Sequence, residues 1–374
     1  MGDLNSKKIL AIETSFDDTG AAVLFGRKVI SNVLASSVDL HRKWGGVVPS
    51  IARQAHLDNI EYVSAEALTR GKVSIEEIDY IAVTYGPGLA IALEVGLDYA
   101  KKLAYNNKKS LIPVNHMEGH FFSPFALNSK GKVFSSSGVN IESGINVKKF
   151  YPIIGFLISG NHTELVVSEK LGEYEIIGET LDDACGEAFD KVARMLNYGY
   201  PGGPIINRVV KKYRKSNKRW RDDLDKFSLP VPMEHSGDLN FSFSGLKTAS
   251  LYKINSLREE RSDEMMWAPQ FCNEFIHVVS RSLEVKLISA IKKYPSLKSM
   301  VLGGGVVHNE IILRGLSSIG RRNGLDVLIP DKRLRTDNAA MIGVAAYFNL
   351  LAGYKGLKGK SILTVERVPG LRLG

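Results

Sequence analysis

The stretch KILAIETSFDDTGAAVLF (residues 8–25) begins the first regular segment of the chain and predicts two strands joined by a turn. Its apolar ends, residues 9–12 and 21–25, flank the polar turn ETSFDDTG. The stretch IIGFLISGNHTELVV (residues 153–167) has the same order of an apolar run, a short polar turn and a second apolar run. This similarity indicates that one α/β unit has been duplicated.

The segment between these two stretches mixes helical and strand patterns. Residues 50–70 and 90–106 have helical periodicity, and the short apolar run at residues 80–84 is typical of a buried strand. Strands and helices mixed in this way favour an α/β fold.

Domain boundaries are predicted from a break in this periodicity. Residues 128–150 are rich in serine and glycine at their centre, and we interpret them as a linker or a surface insertion. The predicted N-terminal domain covers residues 8–127, and the predicted C-terminal domain covers residues 151–337. The apolar helix at about residues 338–353 is expected to return to the N-terminal domain.

Length and composition limit the classes of protein that fit. A chain of 374 residues exceeds one compact core, so two domains are expected. The apolar fraction of 44% is that of a globular protein, and no apolar run approaches the roughly 20 residues of a membrane span. Residues 1–8 lack the apolar core of a signal peptide.

Cysteine content and net charge indicate a compartment and a class of partner. The two cysteines, Cys185 and Cys272, provide neither a disulfide framework nor a thiolate metal cluster, which favours a reducing compartment. The net charge of +9 favours a polyanionic partner such as RNA. Proteins of the mitochondrial matrix are also often basic, so the charge has a second interpretation.

The stretch HMEGH (residues 116–120) follows an apolar run and places two histidines four positions apart. On a helix these positions share one face, so both rings can bind one divalent metal ion. Proteases with the HExxH pattern have their general-base glutamate directly after the first histidine, whereas Glu118 comes one position later. The alternative is a helix with two ordinary histidines.

The polar turn at residues 14–20 carries hydroxyl groups, a glycine and two carboxylates between the predicted strands. Small hydroxyl residues and exposed backbone amides can bind phosphate oxygens, and Asp17 and Asp18 are candidates for a metal contact. The alternative is an ordinary polar hairpin.

The triple glycine at residues 303–305 is either a ligand loop or a tight turn. It does not match the dinucleotide-binding fingerprint, and the sequence has no P-loop motif.

Asp337 stands near the start of the apolar C-terminal helix. Capping of the helix N-terminus is one explanation for an acid at this position. With His116 and His120, Asp337 would instead complete a set of two histidines and one carboxylate that leaves metal positions open for substrate. Such a set suits Zn²⁺ and Fe²⁺ about equally.

Residues 211–221 interleave lysine and arginine with Tyr213 and Trp220. This composition suits phosphate contacts combined with base stacking, and therefore an RNA partner. A solvated helix face is the alternative.

Together these segments resemble the TsaD-type tRNA N6-adenosine threonylcarbamoyltransferase family, also called the glycoprotease or O-sialoglycoprotein endopeptidase family. The resemblance extends from about residue 8 to residue 353. The motifs that carry it are IETSFDDT (12–19), HMEGH (116–120), SGNHTEL (159–165), DDACGEAFDK (182–191), YPGGP (200–204), FSFSGLKT (241–248), GGGV (303–306) with Asn309, and TDNAAM (336–341).

The resemblance implies two duplicated actin-like domains (the ASKHA class, RNase H-like) with the active site in the interdomain cleft. It implies that His116, His120 and Asp337 hold one divalent metal ion per subunit. It also implies a set of residues that bind the adenylate intermediate, namely Leu157, Ile158, Ser159, Gly160, Asn161, Asp190, Gly203, Asn207 and Asn309.

The implied reaction transfers the threonylcarbamoyl group from threonylcarbamoyl-AMP to N6 of the adenosine 3′ to the anticodon of ANN-decoding tRNAs, and AMP is released. A bound metal ion can polarise phosphoryl oxygens and orient the donor. Placement of the amine against the carbamoyl carbon can supply much of the rate. The reaction needs no covalent nucleophile, and Asp17 and Asp18 are candidates for the general base.

Three positions depart from the pattern that is usual in the family. Phe16 stands where most members have cysteine, so no thiol chemistry depends on this position here. Asn161 replaces the second glycine of a Gly-Gly-His-Thr turn, and because asparagine tolerates left-handed backbone angles, the loop can still form. The change at Asn161 bears on donor affinity. Asn240 replaces a frequent aspartate.

Branches of the family differ in their partners. Bacterial members work with small helper proteins, and cytosolic eukaryotic and archaeal members work in a larger complex. The organellar branch needs only the Sua/TsaC-type synthase that supplies threonylcarbamoyl-AMP. The basic composition and the insertion at residues 128–149 favour this mitochondrial branch, with a matrix location and a homodimer. A bacterial-type cytoplasm is the alternative, and no membrane partner is expected.

Three other functions stay open at this point. A metalloprotease acting on glycoproteins would cleave peptides in a chelator-sensitive way, although the position of Glu118 argues against it. A small-molecule kinase of the ASKHA fold would phosphorylate a sugar or an acid, and the sequence has no clear acceptor signature. A non-catalytic nucleotide- or RNA-binding scaffold would keep its biological function without His116 and His120.

Overall fold

The computed structural model describes residues 4–132, 146–261 and 263–374. Its strands coincide with the apolar runs of the sequence, because burial of both strand faces requires continuous apolar side chains. They are β1 (Lys8–Glu13), β2 (Thr19–Phe25), β3 (Lys28–Ala35), β4 (Tyr80–Gly86), β5 (Ser110–Asn115), β6 (Ile153–Ile158), β7 (Thr163–Ser168), β8 (Glu175–Glu179), β9 (Ser299–Gly303) and β10 (Asp326–Leu328).

The strands form two five-stranded sheets with matching topology. The first has the order β3-β2-β1-β4-β5, in which β1 is antiparallel to β2 and parallel to β4. The second has the order β10-β9-β6-β7-β8, in which β6 is parallel to β9. When the second order is reversed, each strand takes the place of its counterpart five strands earlier. This correspondence confirms the predicted α/β fold built from a duplicated unit.

The helices connect these strands and cover the sheets. They are α1 (Val38–His41), α2 (Pro49–Gly71), α3 (Ala90–Asn106), α4 (His116–Phe122), α5 (Cys185–Met195), α6 (Gly202–Ser216), α7 (Ser244–Glu260), α8 (Glu264–Lys293), α9 (Glu310–Arg322) and α10 (Ala339–Leu351). The predicted helices at residues 50–70 and 90–106 therefore correspond to α2 and α3.

The core of the first sheet forms between β1 and the helices α2 and α3. Leu10 and Ile12 of β1 are fully buried and belong to one apolar cluster with Val63 of α2 and Ala100 of α3. Helix α10 packs on α4, β1 and β2, and its residues are buried along nearly the whole length. A side chain at Gly343 of α10 would place its Cβ 2.2 Å from a methyl group of Leu24, so this contact requires glycine.

The chain divides into two compact units whose boundaries differ from the predicted ones. One unit comprises the described residues up to Tyr151 together with Ser168–Glu175 and Leu328–Gly374, and the other comprises Pro152–Val167 and Ile176–Val327. The prediction that the C-terminal domain runs to residue 337 is therefore wrong, because residues 328–337 belong to the first unit. Helix α10 also lies in that unit.

Parts of the predicted domain organisation lie beyond what the structure tests. Residues 133–145 of the proposed insertion at 128–150 fall outside the described residues. The interdomain cleft as the place of the active site stays a prediction. In the described part of the chain, none of the helices combines the length and hydrophobicity needed to cross a membrane.

Candidate active site

The two histidines of the HMEGH stretch lie at the carboxyl end of β5. Asn115 ends this strand and caps α4, because its side-chain oxygen accepts a hydrogen bond of 2.8 Å from the Met117 N–H. His116 and His120 therefore sit one helical turn apart on one face of α4, and both are fully buried. Their ring centroids are 4.7 Å apart, with the ring planes at 87°.

Asp337 reaches the same place from the segment before α10. The N-cap of that helix is Asn338, whose side chain accepts from the Met341 N–H at 3.1 Å. Capping therefore does not account for Asp337. Its Oδ1 instead lies 3.5 Å from Nε2 of His116 and 3.1 Å from Nε2 of His120.

The chemistry of this donor set fits a metal ion. One possible ligand atom from each of His116, His120 and Asp337 lies within 4.8 Å of the other two. Nδ1 of His120 is buried without a hydrogen-bond partner, and Nε2 of both histidines is buried with only the Asp337 carboxylate nearby and no well-oriented hydrogen bond. Buried polar atoms without a partner are costly, so a convergent group of them marks a place for a ligand. The Asp337 side chain keeps 27% of its surface exposed, which leaves access to the group.

A second layer of polar side chains orients His116. Glu13 ends β1, is 1% exposed, and places Oε2 3.3 Å from Nδ1 of His116. The Ser15 hydroxyl lies 3.1 Å from the same nitrogen, and the Thr84 hydroxyl donates to the Glu13 carboxylate. Because a carboxylate only accepts, this arrangement holds a proton on Nδ1 and leaves Nε2, toward Asp337, as the atom at which a metal ion would replace a proton.

The charges of this cluster favour a cation. Burial lowers the pKa of His116, but the carboxylates of Asp337 and Glu13 outweigh that effect and raise the pKa to about 10. Burial lowers the pKa of His120. Burial also opposes ionisation of Asp337, yet the two imidazoles hold the pKa of its carboxyl well below the usual range. Two carboxylates around two imidazoles therefore stabilise positive charge at this point.

Glu118 faces away from the histidines. Its carboxylate accepts a hydrogen bond of 2.7 Å from the Tyr174 hydroxyl and one of 3.0 Å from the Asn349 side chain. These contacts connect α4 with α10 and with the segment Ser168–Glu175. Glu118 is therefore an anchor of the helix, and it does not occupy the place of a protease general base.

The turn between β1 and β2 holds the two aspartates predicted as catalytic candidates. The Asp18 carboxylate accepts from the Ser37 N–H at 3.2 Å, and the Asp17 carbonyl oxygen accepts from the Ser37 hydroxyl at 2.5 Å. Burial raises the pKa of Asp18, and the negative charge of Asp337 adds to the rise. Asp18 is thus electrostatically coupled to the histidine–aspartate group.

Phe16 lies in the same turn and touches the histidine group directly. Its ring meets the His116 ring edge-on, with centroids 5.6 Å apart and planes at 73°. Its carbonyl oxygen lies 2.9 Å from Nε2 of His56, whose Nδ1 lies 2.8 Å from the Thr19 hydroxyl. His56 therefore links α2 to both ends of the turn, and Phe16 provides an apolar wall beside His116.

The second unit carries the residues expected to bind an adenylate. Leu157 and Ile158 end β6 and are fully buried, and the turn that follows is closed by Ser159. The Ser159 hydroxyl accepts from the backbone N–H groups of Asn161 at 3.3 Å and His162 at 3.0 Å. Asn161 therefore fits the turn in place of the usual glycine.

Close packing supports this turn from one side and leaves it open on the other. A Cβ on Gly186, at the start of α5, would lie 2.7 Å from the Cα of Gly160, so the helix N-terminus contacts the turn directly. A Cβ on Gly160 itself would meet nothing within 4 Å. The Gly160 backbone thus remains accessible to a ligand.

Asp190 of α5 contacts the start of α6, the helix that also carries Gly203 and Asn207. The Asp190 carboxylate accepts from the Gly202 N–H at 2.6 Å, so it caps α6, whose own N-cap residue has no side-chain hydrogen bond. Burial raises the pKa of Asp190 to about 6. The side-chain oxygen of Asn207, one turn after Gly203, is buried without a hydrogen-bond partner.

Asn309 follows the triple glycine and caps α9. Its side-chain oxygen accepts from the N–H groups of Ile311 at 3.0 Å and Ile312 at 3.4 Å, while its Nδ2 is buried without a partner. Gly304 has a left-handed φ of 91°, and a Cβ there would lie 2.4 Å from the Ile158 carbonyl oxygen. The glycine loop therefore packs on the end of β6 and presents the Asn309 amide as an unused donor.

The structure corrects the stacking part of the RNA-binding prediction for residues 211–221. The guanidinium carbons of Arg214 and Arg221 lie 3.7 and 4.4 Å from the centroid of the Trp220 ring, which is therefore already covered. The Tyr213 hydroxyl donates to Asp223. The Trp220 ring is therefore not presented for a base, although several lysines of this stretch are exposed.

The sequence interpretation missed the supporting roles of Glu13, Ser15 and Thr84. Glu13 was assigned to the polar turn, but it is the last residue of β1. An acidic residue that directly continues an apolar strand was the available signal. Thr84 gives no such signal, because a hydroxyl at the end of a buried strand is common.

Comparison with known proteins places these observations in a family context. The family model TsaD, tRNA N6-adenosine threonylcarbamoyltransferase, matches residues 28–138 and 133–344. A protein named tRNA N6-adenosine threonylcarbamoyltransferase from Clostridium perfringens (strain SM101 / Type A) is 42% identical over 374 residues, covering 99% of each chain. Its namesake from Thermosipho africanus is 39% identical over 365 residues, covering 98% of this chain and 99% of the relative.

These relatives are bacterial, and they lend no support to the mitochondrial branch. Among solved structures, HypF of T. kodakarensis matches with a TM-score of 0.57 and 14% identity, covering 93% of this chain and 48% of that chain. At this identity the likeness concerns the fold alone, and it agrees with duplicated actin-like domains.

Proposed function

The chain belongs to the TsaD family of tRNA N6-adenosine threonylcarbamoyltransferases, and we propose that it transfers a threonylcarbamoyl group from threonylcarbamoyl-AMP to a tRNA. The proposed acceptor is N6 of the adenosine 3′ to the anticodon of ANN-decoding tRNAs. The products are N6-threonylcarbamoyladenosine and AMP.

We assign metal binding to His116, His120 and Asp337. The observation that carries this assignment is the convergence of three possible ligand atoms, with the Nε2 atoms of both histidines buried beside the Asp337 carboxylate at 3.5 and 3.1 Å. Two imidazoles and a carboxylate suit Zn²⁺ or Fe²⁺, and we propose one such ion per subunit. When bound, a divalent ion supplies Lewis-acid polarisation of phosphoryl oxygens and a template for orientation.

Side chains beside the proposed metal ligands fix the orientation of the His116 ring. Glu13 and Ser15 fix the His116 ring through Nδ1, and Phe16 excludes water from one side of that ring. Asp18 is the better placed of the two general-base candidates, since it is half-buried and feels the charge of Asp337. A carboxylate at this position would accept the proton that the adenosine amine loses during transfer.

Recognition of the donor adenylate is proposed for the second unit. The backbone at Gly160 is open, and Asn161 lies in the turn closed by Ser159. Asn309 offers an unused amide donor, and Asn207 an unused carbonyl acceptor. The proposed site also includes Leu157, Ile158, Asp190 and Gly203. No side chain of this set needs to form a covalent bond, so binding and orientation account for its role.

The supply of donor and the assembly are also proposed by analogy with the family. A Sua/TsaC-type synthase would provide threonylcarbamoyl-AMP, and a homodimer would be the working form. The bacterial relatives favour a bacterial-type cytoplasm as the location. The mitochondrial matrix stays a prediction without support from them.

The decisive experiment incubates the pure protein with threonylcarbamoyl-AMP and unmodified tRNA that carries adenosine after the anticodon. Mass spectrometry of the nucleosides is expected to show threonylcarbamoyladenosine, with bacterial-type helper proteins added in a parallel reaction. A variant with His116→Ala and His120→Ala should keep its fold but lose bound metal and product. Product formation by a verified metal-free protein would refute the metal assignment, and absence of product with helpers present would refute the proposed reaction.

A further inference from the structure

A cavity of about 760 Å³ lies in the first unit, at the end of the sheet where β4 and β5 begin. Helix α4 follows the opposite end of β5. The cavity is lined by Tyr80 and Ser110, at the starts of these two strands, and by residues at the end of α3. From Ser110 to the end of β5 at Asn115 is roughly 17 Å at about 3.3 Å per residue. The cavity is therefore separate from the histidine–aspartate group, yet on the same strand.

Four lysines line this cavity, and two of them form contacts with neighbouring groups. Lys7 forms an ion pair of 2.9 Å with Asp79, and Lys109 donates to a backbone carbonyl oxygen. Lys108 and Lys358 are exposed, and within residues 4–132, 146–261 and 263–374 neither side chain forms an ion pair. Asp79 is the one acid among the lining residues. The lining thus carries uncompensated positive charge.

Lys108 adopts a left-handed backbone conformation, in which glycine is the preferred residue. It follows α3 with a φ of 53°, and the Lys109 N–H closes the helix end on the Ala104 carbonyl oxygen at 2.8 Å. Glycine is preferred at such a left-handed helix end, because a Cβ is strained there. A cation near a helix C-terminus is favourable, but that effect does not require this strained position.

Lys358 reaches the cavity from a distant part of the chain. The backbones of Leu357 and Leu111 exchange hydrogen bonds of 2.9 and 2.8 Å, which hold residues 356–359 against the start of β5. Lys358 is thereby placed beside the end of α3. Tyr105, also in the lining, has 44% of its surface exposed.

We propose that this lysine-lined cavity is a contact surface for the phosphate backbone of the tRNA substrate. The inference rests on the proposed function. Lysines are flexible point charges, and here they come from separate elements without an arginine fork among the lining residues. That arrangement suits successive backbone phosphates better than one tightly held small phosphate. The exposed Tyr105 ring adds a stacking surface for an unpaired base.

A matched pair of glycine substitutions tests the inference. Lys72 is also an exposed lysine with a left-handed φ of 55° at a helix end, but it does not line the cavity. Both Lys108→Gly and Lys72→Gly should keep or raise the melting temperature, because glycine relieves the same backbone strain. Only Lys108→Gly should flatten the plot of log Kobs for tRNA against log salt, by about 0.9 if one phosphate contact is lost.

Two further measurements keep the outcomes separable. Lys358→Ala should flatten the salt dependence in the same way, and bound tRNA should protect Lys108 and Lys358, but not Lys72, from an acylating reagent. If wild-type protein binds tRNA and forms product while Lys108→Gly behaves as Lys72→Gly does, the surface is wrong and the proposed function stands. If wild-type protein with helpers neither binds tRNA nor forms product, both fail.

Discussion

Glu13→Gln is expected to weaken metal binding without removing a metal ligand. The carboxylate of Glu13 faces Nδ1 of His116 at 3.3 Å and also accepts from the Ser15 N–H at 2.6 Å and from the Thr84 hydroxyl. A glutamine has one acceptor oxygen and one donor group in the same space. Its amide nitrogen would therefore point a donor at another donor, and the His116 ring would lose its orientation or its preferred tautomer.

The size of this effect follows from comparable metal sites. Loss of a group that orients a metal-binding histidine typically lowers metal affinity by 10–100-fold, or roughly 1.4–2.7 kcal/mol. The upper part of that range is expected here, because Glu13 is 1% exposed and water cannot replace it. Removing the carboxylate also takes away part of the negative charge that favours a cation at the site.

Metal affinity should be measured by competition with a chelator for Zn²⁺, alongside denaturant unfolding of the metal-free protein. Glu118→Gln is the matched control, since Glu118 is a buried glutamate on α4 that bonds Tyr174 and Asn349 on the face away from the histidines. It should lower stability by about 1–3 kcal/mol and leave metal affinity unchanged. Equal metal affinities for wild type and Glu13→Gln would refute the orienting role.

Three further predictions concern the second unit. Asn309→Asp keeps the oxygen that caps α9 but removes the unused Nδ2 donor, so donor affinity should fall while the melting temperature holds, as calorimetric titration and thermal unfolding would show. Burial raises the pKa of Asp190 to about 6, above about 3.9 in the unfolded chain, so its contribution to stability is present below pH 4 and lost as the pH rises through 6. Denaturant unfolding of Asp190→Asn should lack this loss, and parallel pH profiles for both proteins would contradict it. Removing the charges of Lys212 and Lys215 should flatten the salt dependence of tRNA binding, whereas Trp220→Ala should mainly lower stability because its ring is already covered.

Elements formed by local patterns could be predicted from the sequence. The predicted strand at residues 153–158 matches β6, and the helix at residues 90–106 matches α3. Continuous apolar runs and helical periodicity determine such elements within a few neighbouring residues. The triple glycine, which the sequence predicts to be a loop or a tight turn, lies between β9 and α9.

Features that depend on distant contacts could not be predicted in this way. Glu13 is 103 positions from His116, and no local pattern indicates that their side chains meet. The same holds for the segment Ser168–Glu175, which belongs to the first unit although the residues on both sides of it belong to the second, and whose Tyr174 donates a hydrogen bond to Glu118. The Trp220 ring was predicted to be available, but its own neighbours in space, Arg214 and Arg221, occupy it.

The matching strand order of the two sheets makes the turns after β1 and β6 equivalent positions, yet their serines make different contacts. The turn after β1 brings Ser15 to a histidine, whereas the corresponding turn after β6 has Ser159 folded back on its own backbone. The two equivalent turns therefore serve different purposes: one orients a histidine, and the other closes on itself. A substitution in one turn cannot be compensated by the other, so the duplicated units are not redundant.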